Sequence, residues 1–397
     1  MATRHDRDGG QTTANLTIAT GLDAFTRKEW ATLAGTTRSD SDYNPFISHE
    51  FLAALEESGC AARRTGWLPQ HLRLEDANGS LLGVVPCYLK SHSKGEYVFD
   101  YGWADAFERA GGQYYPKLQV SVPFTPVTGP RLIASKDADP DAVRQALAEG
   151  LKTLTDRLGV SSLHVTFAPR SETEVLSHAG FLTRTDQQFH FFNEGYDSYE
   201  DFLEALASRK RKALKKERRT AVEAGIEIEW LTGRDITEAA WDDFFAFYMD
   251  TASRKWGRPY LNRLFFSLIG ERMADDILLV MAKRGSRYIA GAINFIGSDA
   301  LYGRNWGAIE HHPFLHFEVC YHQAIEFAIA KGLKRVEAGA QGEHKLARGY
   351  LPVTTYSAHY IAHPGLRRAV ADYLSRERRE VEAIGDFLTE HSPYKKG

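Results

Sequence analysis

Four ionisable side chains fall within one short stretch near the end of the chain: Glu343, His344, Lys345 and Arg348. They lie inside Glu337-Ala338-Gly339-Ala340-Gln341-Gly342-Glu343-His344-Lys345-Leu346-Ala347-Arg348-Gly349-Tyr350. Glu343 or His344 can accept a proton from an amine, and Lys345 and Arg348 can hold a phosphate or carboxylate. Glycines 339, 342 and 349 let the backbone reverse sharply between them. Upstream, Arg304 and Asn305 can face the same cleft. The catalytic candidates are Glu343, His344 and Arg304. The substrate-binding candidates are Asn305, Trp306, Glu318, Glu337, Lys345, Arg348 and Tyr350. The plain alternatives are a surface loop with solvated charges, and an Arg304 that pairs with Glu337 or Glu318 as a buried bridge.

A second cluster is cationic. Arg209, Lys210, Arg211 and Lys212 are followed by Lys215, Lys216, Arg218 and Arg219, with only Glu217 among them. They read either as a solvated connecting helix or as a phosphate- or RNA-reading face, with Arg209, Lys210, Arg211, Lys212, Lys215 and Lys216 as its contacts. A third cluster, His311, His312, His316, Glu318 and His322, has metal-ligand chemistry. Pro313 interrupts the helical spacing of His312 and His316, and helix-start chemistry is the preferred reading; no metal is assigned. The many aromatics, Trp306 among them, read mostly as core, and some on loops can stack on a sugar or a base.

Those side chains need elements to position them. Leu333 to Val336 and Val353 to Ile361 read as strands on either side of the glycine-bearing loop. A junction of this kind, at the end of a strand, is a common place for a ligand. Leu301 to Trp306 is a further strand, and Phe317 to Lys331 a helix stopped by Gly332. Arg284-Gly285-Ser286 and Asn78-Gly79 mark hairpins. Pro45 to Ser58 and Asp141 to Leu158 are helices, the latter ended by Gly159. Tyr97 to Tyr101 reads as a strand, followed by a loop-rich region, and Leu366 to Leu388 as an outer helix.

Composition sets the bounds. The chain has 397 residues, 43% hydrophobic and 25% charged, with net charge −3. That is room for two domains, and no global basicity draws the chain to nucleic acid. Three scattered cysteines, Cys60, Cys87 and Cys320, make neither a disulfide framework nor a zinc knuckle. A polar N-terminus lacks the apolar core of a signal peptide, and no apolar run is long enough to span a membrane, so a cytoplasmic location is expected.

The chain also repeats itself. Gly180-Phe181 is followed by His190, and Gly349-Tyr350 by His359, each histidine ten residues after its glycine. Hairpins, a Tyr-Gly echo (Tyr101-Gly102 and Tyr302-Gly303) and a helix–glycine–strand unit recur in the same order. We read residues 1–20 as a disordered tail, 21–195 as one unit, 196–225 as a basic connecting helix and 226–397 as a second unit.

In the order of its elements each unit is similar to the acyl-CoA N-acyltransferase (GNAT-type) fold: an α/β (α+β) class with mainly antiparallel mixed sheets. The chain resembles the FemAB-like peptidoglycan biosynthesis/recognition family, which carries two such units in tandem. The resemblance rests on Asn44–Leu52, Val122–Pro130, Ser208–Lys212, Tyr302-Gly303-Arg304, Trp306-Gly307, His316-Phe317-Glu318 and Gly339–Tyr350. It implies an acyl- or aminoacyl-transferase acting on an amine of a small molecule or a peptidoglycan-type peptide. The co-substrate would be aminoacyl-tRNA or acyl-CoA, tRNA a partner, and no cofactor covalently bound. Activated esters of this kind need no metal or covalent nucleophile. The Gly-rich turn by which acetyl-CoA enzymes of this fold cradle pyrophosphate is missing, since His311–Glu318 contains a proline and no glycine. That departure puts a coenzyme A donor in question. It also keeps open a second function, a degenerate transferase that only binds a cell-wall peptide or RNA.

Overall fold

The computed structural model describes residues 14–255, 259–340 and 342–395; the side chains of residues 252–255 and 343 also lie outside the description. The tail expected at the N-terminus falls outside it as far as residue 13. Its last part is ordered, as strand β1 (Asn15–Ala19).

The first half continues with α1 (Arg27–Ala34), α2 (His49–Glu57), β2 (Trp67–Pro69), β3 (His71–Glu75), β4 (Leu81–Val85) and β5 (Cys87–Lys90). Then come α3 (Tyr101–Arg109), β6 (Lys117–Val120), β7 (Ile133–Ala134), α4 (Pro140–Leu158), β8 (Ser162–Ala168), α5 (Arg170–His178) and β9 (Leu182–Phe192). Helices α6 (Tyr199–Ala205) and α7 (Ser208–Val222) lead to the second half. That half runs β10 (Ile226–Thr232), α8 (Glu238–Lys255), α9 (Arg263–Met273), β11 (Ile277–Arg284), β12 (Arg287–Ile296) and β13 (Ala300–Ala308). It closes with α10 (Leu315–Phe317), a π-turn (Glu318–His322), α11 (Gln323–Ala330), β14 (Arg335–Glu337), α12 (Glu343–Leu346), β15 (Leu351–Ile361) and α13 (Pro364–Glu390).

Local chemistry explains the clearest of these. In α4, Asp139 caps the amides of Asp141 and Ala142, Pro140 occupies the first turn, and Gly159 ends the helix at φ 61. Its buried Val143, Leu147, Leu151 and Leu154 fall on one face.

Both halves share one eleven-stranded sheet, ordered β10-β11-β12-β13-β14-β9-β15-β8-β6-β5-β2; β1, β3, β4 and β7 form a second, small sheet. The last strand of each half crosses over. β9 pairs with β14 of the second half, and β15 pairs with β8 of the first. β9 and β15 run antiparallel to each other from Leu182↔His359 to His190↔Leu351. Each half also holds one parallel pair, β6–β8 and β13–β14, placed symmetrically about that centre. The repeat of Gly180 and Gly349 is real: both take positive φ, 92° and 88°, just before these two strands.

Three expectations are corrected. Tyr97 to Tyr101 is not a strand: Tyr101 opens α3, so the echo between Tyr101-Gly102 and Tyr302-Gly303 joins a helix to a strand. The cause is the buried Lys117 ammonium, which bonds Glu96 and Asp100 and curls the segment around itself. The connecting helix is two helices, broken where Leu206 bridges Tyr394.

Buried neutral histidines sit at the crossing. His164 Nδ1 lies 2.7 Å from His359 Nδ1, and His190 lies 3.8 Å from Glu337. Burial pushes His164 and His190 each down to about 3, helped by nearby cations. The unfolded chain protonates them near pH 6.5. Their folded values lie below that, so stability is full above about pH 6.5 and is lost as pH falls towards 3. Each such histidine is expected to remove about 2 kcal/mol at pH 5. Urea unfolding at pH 7.5 and pH 5 checks this: His190→Gln shrinks the difference between the two, and an unchanged difference contradicts it.

Candidate functional site

The site begins as a defect in strand pairing. Along β12–β13, Ala292 pairs with Trp306 but Asn294 pairs with Gly303, so Arg304 and Asn305 face the single residue Ile293. This is a β-bulge, which bends the strand and redirects its side chains. On its other edge β13 pairs with β14 only from Ala300↔Arg335 to Tyr302↔Glu337. Beyond Tyr302 the two strands part. The chain after β14 stays with β9 instead: Ala338 N–H donates to Phe189 O, and Phe189 N–H to Gly339 O. A small cavity of about 80 Å³ occupies the gap. Its walls include Asn294, Arg304, Asn305, Trp306, Tyr321 and Ala338. Helix α8 backs β13 closely; a Cβ on Gly307 would lie 2.1 Å from Phe247 O, so only glycine fits.

Arg304 and Asn305 are therefore on the cavity wall, with Trp306. Arg304 pairs with neither Glu337 nor Glu318. It donates to Phe124 O (2.7 Å) and lies 5.9 Å from the Tyr97 ring. Tyr97 and Phe124 both hold φ 60°, a costly conformation for bulky residues. Two strained residues of the first half thus grip the arginine of the second. Sequence reasoning missed them, since Phe124 stands 180 positions from Arg304. The one trace in the sequence is Val122–Pro130, where Pro123, Pro126 and Pro130 restrict the backbone around Phe124.

The loop candidates divide. His344 is exposed, and its Nε2 is 3.1 Å from the hydroxyl of Tyr321, a residue of the cavity wall. Partial desolvation of the ring, followed by the Arg348 and Lys345 charges, lowers the proton affinity of His344 below that of a free imidazole. Burial pushes the Tyr321 phenol up, so it keeps its proton. Lys345 is buried and turned into its own loop, donating to the carbonyls of Ala338, Gly339 and Ala340 (2.7–3.2 Å). Burial brings it down to about 8. Arg348 is also buried; it makes a bidentate pair with Glu217 (2.6 and 2.8 Å), bonds His344 O and stacks 3.5 Å over Phe317. The donors of Lys345 and Arg348 are thus committed to holding the loop. Tyr350 is buried and donates to Tyr321 O. The Glu343 side chain lies outside the described residues.

Glu318 and Glu337 are buried off the cavity wall. Glu318 takes both Arg218 and Gln323. Glu337 takes Arg335 at 3.0 Å, and burial pushes its carboxyl up. His312 pairs with Glu310, and His322 sits between Tyr199 and Glu217. Among the described residues no group of three or more His, Cys, Asp or Glu is placed to hold a metal ion.

A larger groove of about 710 Å³ adjoins the cavity, sharing Trp306 and His316 with it. Helix α7 turns Leu214, Glu217, Arg218 and Ala221 inward. Arg209, Lys210, Lys212, Lys215 and Lys216 are exposed, and Arg211 partly so. Lys215 pairs with Glu200.

Comparison with known proteins agrees with this architecture. The family model described as FemAB-like, peptidoglycan biosynthesis/recognition, matches residues 21–396. The crystal structure of FemX superposes with a TM-score of 0.54 at 12% identity, covering 87% of this chain and 98% of FemX. The structure of L-PGS from Bacillus licheniformis gives 0.51 at 8%, covering 85% and 97%. At such identities the likeness is one of fold alone. Among curated proteins no sequence match is found. Among the described residues no helix is long and apolar enough to cross a membrane.

The lysine clamp gives a direct expectation. Lys345→Met leaves three loop carbonyls without their donor and should cost about 2 kcal/mol. It should also speed proteolysis within residues 338–350. Urea unfolding and limited proteolysis measure both, and wild-type behaviour in each would remove the clamp.

Proposed function

The chain belongs to the FemAB-like family, and from that premise we propose that it moves an activated acyl group onto an amine at the parting of β13 and β14. The amine belongs to a small molecule or a peptidoglycan-type peptide, and the donor is an aminoacyl-tRNA or an acyl thioester. The observation that carries this is the Tyr321–His344 hydrogen bond at 3.1 Å, beside the Arg304–Asn305 bulge.

The chemistry needs a neutral amine, a polarised carbonyl and a route for one proton. The β13 edge beyond Tyr302 has lost its β14 partner, so its amides are available to an extended ligand. Asn305 and Arg304 offer donors to a carbonyl or carboxylate oxygen. As the amine attacks and the C–N bond forms, its proton passes to Tyr321 Oη while the Tyr321 proton passes to His344 Nε2. The bond from carbonyl carbon to the leaving sulfur or oxygen then breaks, and the leaving group takes a proton from Tyr321 Oη as His344 returns its own to the phenol, which restores both side chains. Glu343 is a second possible acceptor on the same turn. Catalytic proton transfer of this kind contributes about 10²–10⁴ in rate.

Tyr321→Phe and His344→Ala should therefore each slow transfer about 100-fold, read as mass added to the acceptor. Activity requires neutral His344, whose proton affinity is lowered, so the acid limb of the rate profile should fall below pH 6.5. Full turnover in both variants contradicts the relay. A ligand retained without modification by the wild-type protein would support the binding-only function instead.

The exposed cations of α7 suit the phosphate backbone of a tRNA donor. Replacing Arg209, Lys210, Lys212 and Lys216 with Gln should weaken RNA binding and lower its salt dependence by about 3 to 4 in log–log slope. Absence of RNA binding at low salt would remove tRNA from the account.

A further inference from the structure

The groove next to the cavity has no part in the relay, yet it is built as a binding site. At about 710 Å³ it has the size of a small-molecule pocket. Its wall is a run of rings. Trp306 lies 5.2 Å from His316, His316 5.4 Å from Phe317, and Phe317 6.4 Å from Phe314. The run is braced from behind, because Arg348 stacks 3.5 Å over Phe317 and His344 packs 5.5 Å from it. At the open end stands Phe314, 44% exposed and held at φ 63°. A bulky side chain in that conformation costs stability, and such strain collects at functional sites. Exposing its ring adds a second cost with no return from the folded chain alone. A π-turn follows at once, a device that also gathers at functional sites.

We infer that this groove stacks the adenine ring of the acyl donor. Flat heteroaromatic rings stack on such walls by their π-faces, without a base-specific set of hydrogen bonds. The groove and the acyl cavity share Trp306 and His316 as walls, which places a ligand in the groove next to the acyl group. Coenzyme A and the 3′ end of tRNA both carry adenosine beyond the acyl group. A stacking wall recognises that nucleoside without the glycine turn that this chain lacks at His311–Glu318. The identity of the ligand as the donor rests on the transferase reading; the presence of a purine site does not.

Calorimetric titration with AMP and with ribose 5-phosphate tests the site. AMP should bind, with ribose 5-phosphate at least about tenfold weaker, as expected for loss of base stacking. Phe314→Gly removes one ring and also relieves the positive φ, so it should raise the melting temperature while weakening AMP about tenfold. Phe314→Tyr should retain AMP. Equal binding of the two probes, or wild-type AMP affinity in Phe314→Gly, overturns the inference even if acyl transfer is observed. Discrimination between the probes with no acyl transfer sinks the transferase reading and leaves the purine site standing. Competition against bound AMP by coenzyme A or by a CCA-ended RNA hairpin identifies the source, and competition by neither overturns the donor assignment.

Discussion

The site depends on where the chain after β14 finds its hydrogen bonds. Parallel pairing with β13 lasts three residues, then Ala338 and Gly339 turn to Phe189 of β9. A strand from the first half therefore holds one wall of the cavity away from the other. The backbone must satisfy its donors and acceptors somewhere, and β9 offers them on the side that leaves β13 open. Because β9 is also paired with β15 along most of its length, the wall cannot move without disturbing the centre of the sheet. The exchanged strands are thus the support of the site as well as the joint between the halves.

The first half has a corresponding parallel pair, β6–β8, and there the chain bridges back to β8, Gly129 N–H donating to Phe167 O. The proline-rich segment following β6 is pinned by Arg131, which donates to the carbonyls of Val127, Gly129, Pro130 and Thr166. The same segment sends Phe124 across to Arg304. One copy of the repeat thus braces the other. The ion cluster of Glu96, Asp100 and Lys117 anchors the neighbouring loop that carries Tyr97. Strain at Tyr97 and Phe124 is sustained by these buried contacts.

Much of the architecture was legible in the sequence. The caps of α4, the glycine-led hairpins and the matched Gly180 and Gly349 all act locally, so their signals survive without knowledge of neighbours. The exchange of β9 and β15 was not, because alternation shows that a strand exists and not which strand it joins. The cationic run shows the same divide. Leu214, Glu217, Arg218 and Ala221 have the spacing of an inward helical stripe, but residue type alone left Arg218 among the outward cations and did not show that Glu318 and Glu326 hold it. In the loop after β14, residue type identified Lys345 and Arg348 as anion holders; burial instead gives their donors to carbonyls and to Glu217. Tyr321 carried no signal, since a tyrosine four residues into an apolar helix reads as core.

Amide hydrogen exchange with and without donor, using acetyl-CoA and aminoacylated tRNA in turn, shows whether the gap between β13 and β14 is occupied. If the parting of β13 from β14 receives the acyl group, amides of Gly303 to Trp306 should slow in exchange with one of the two, and those of β6 and β8 should not change. Protection confined to the first half, or absent from β13 with both donors, would contradict the account.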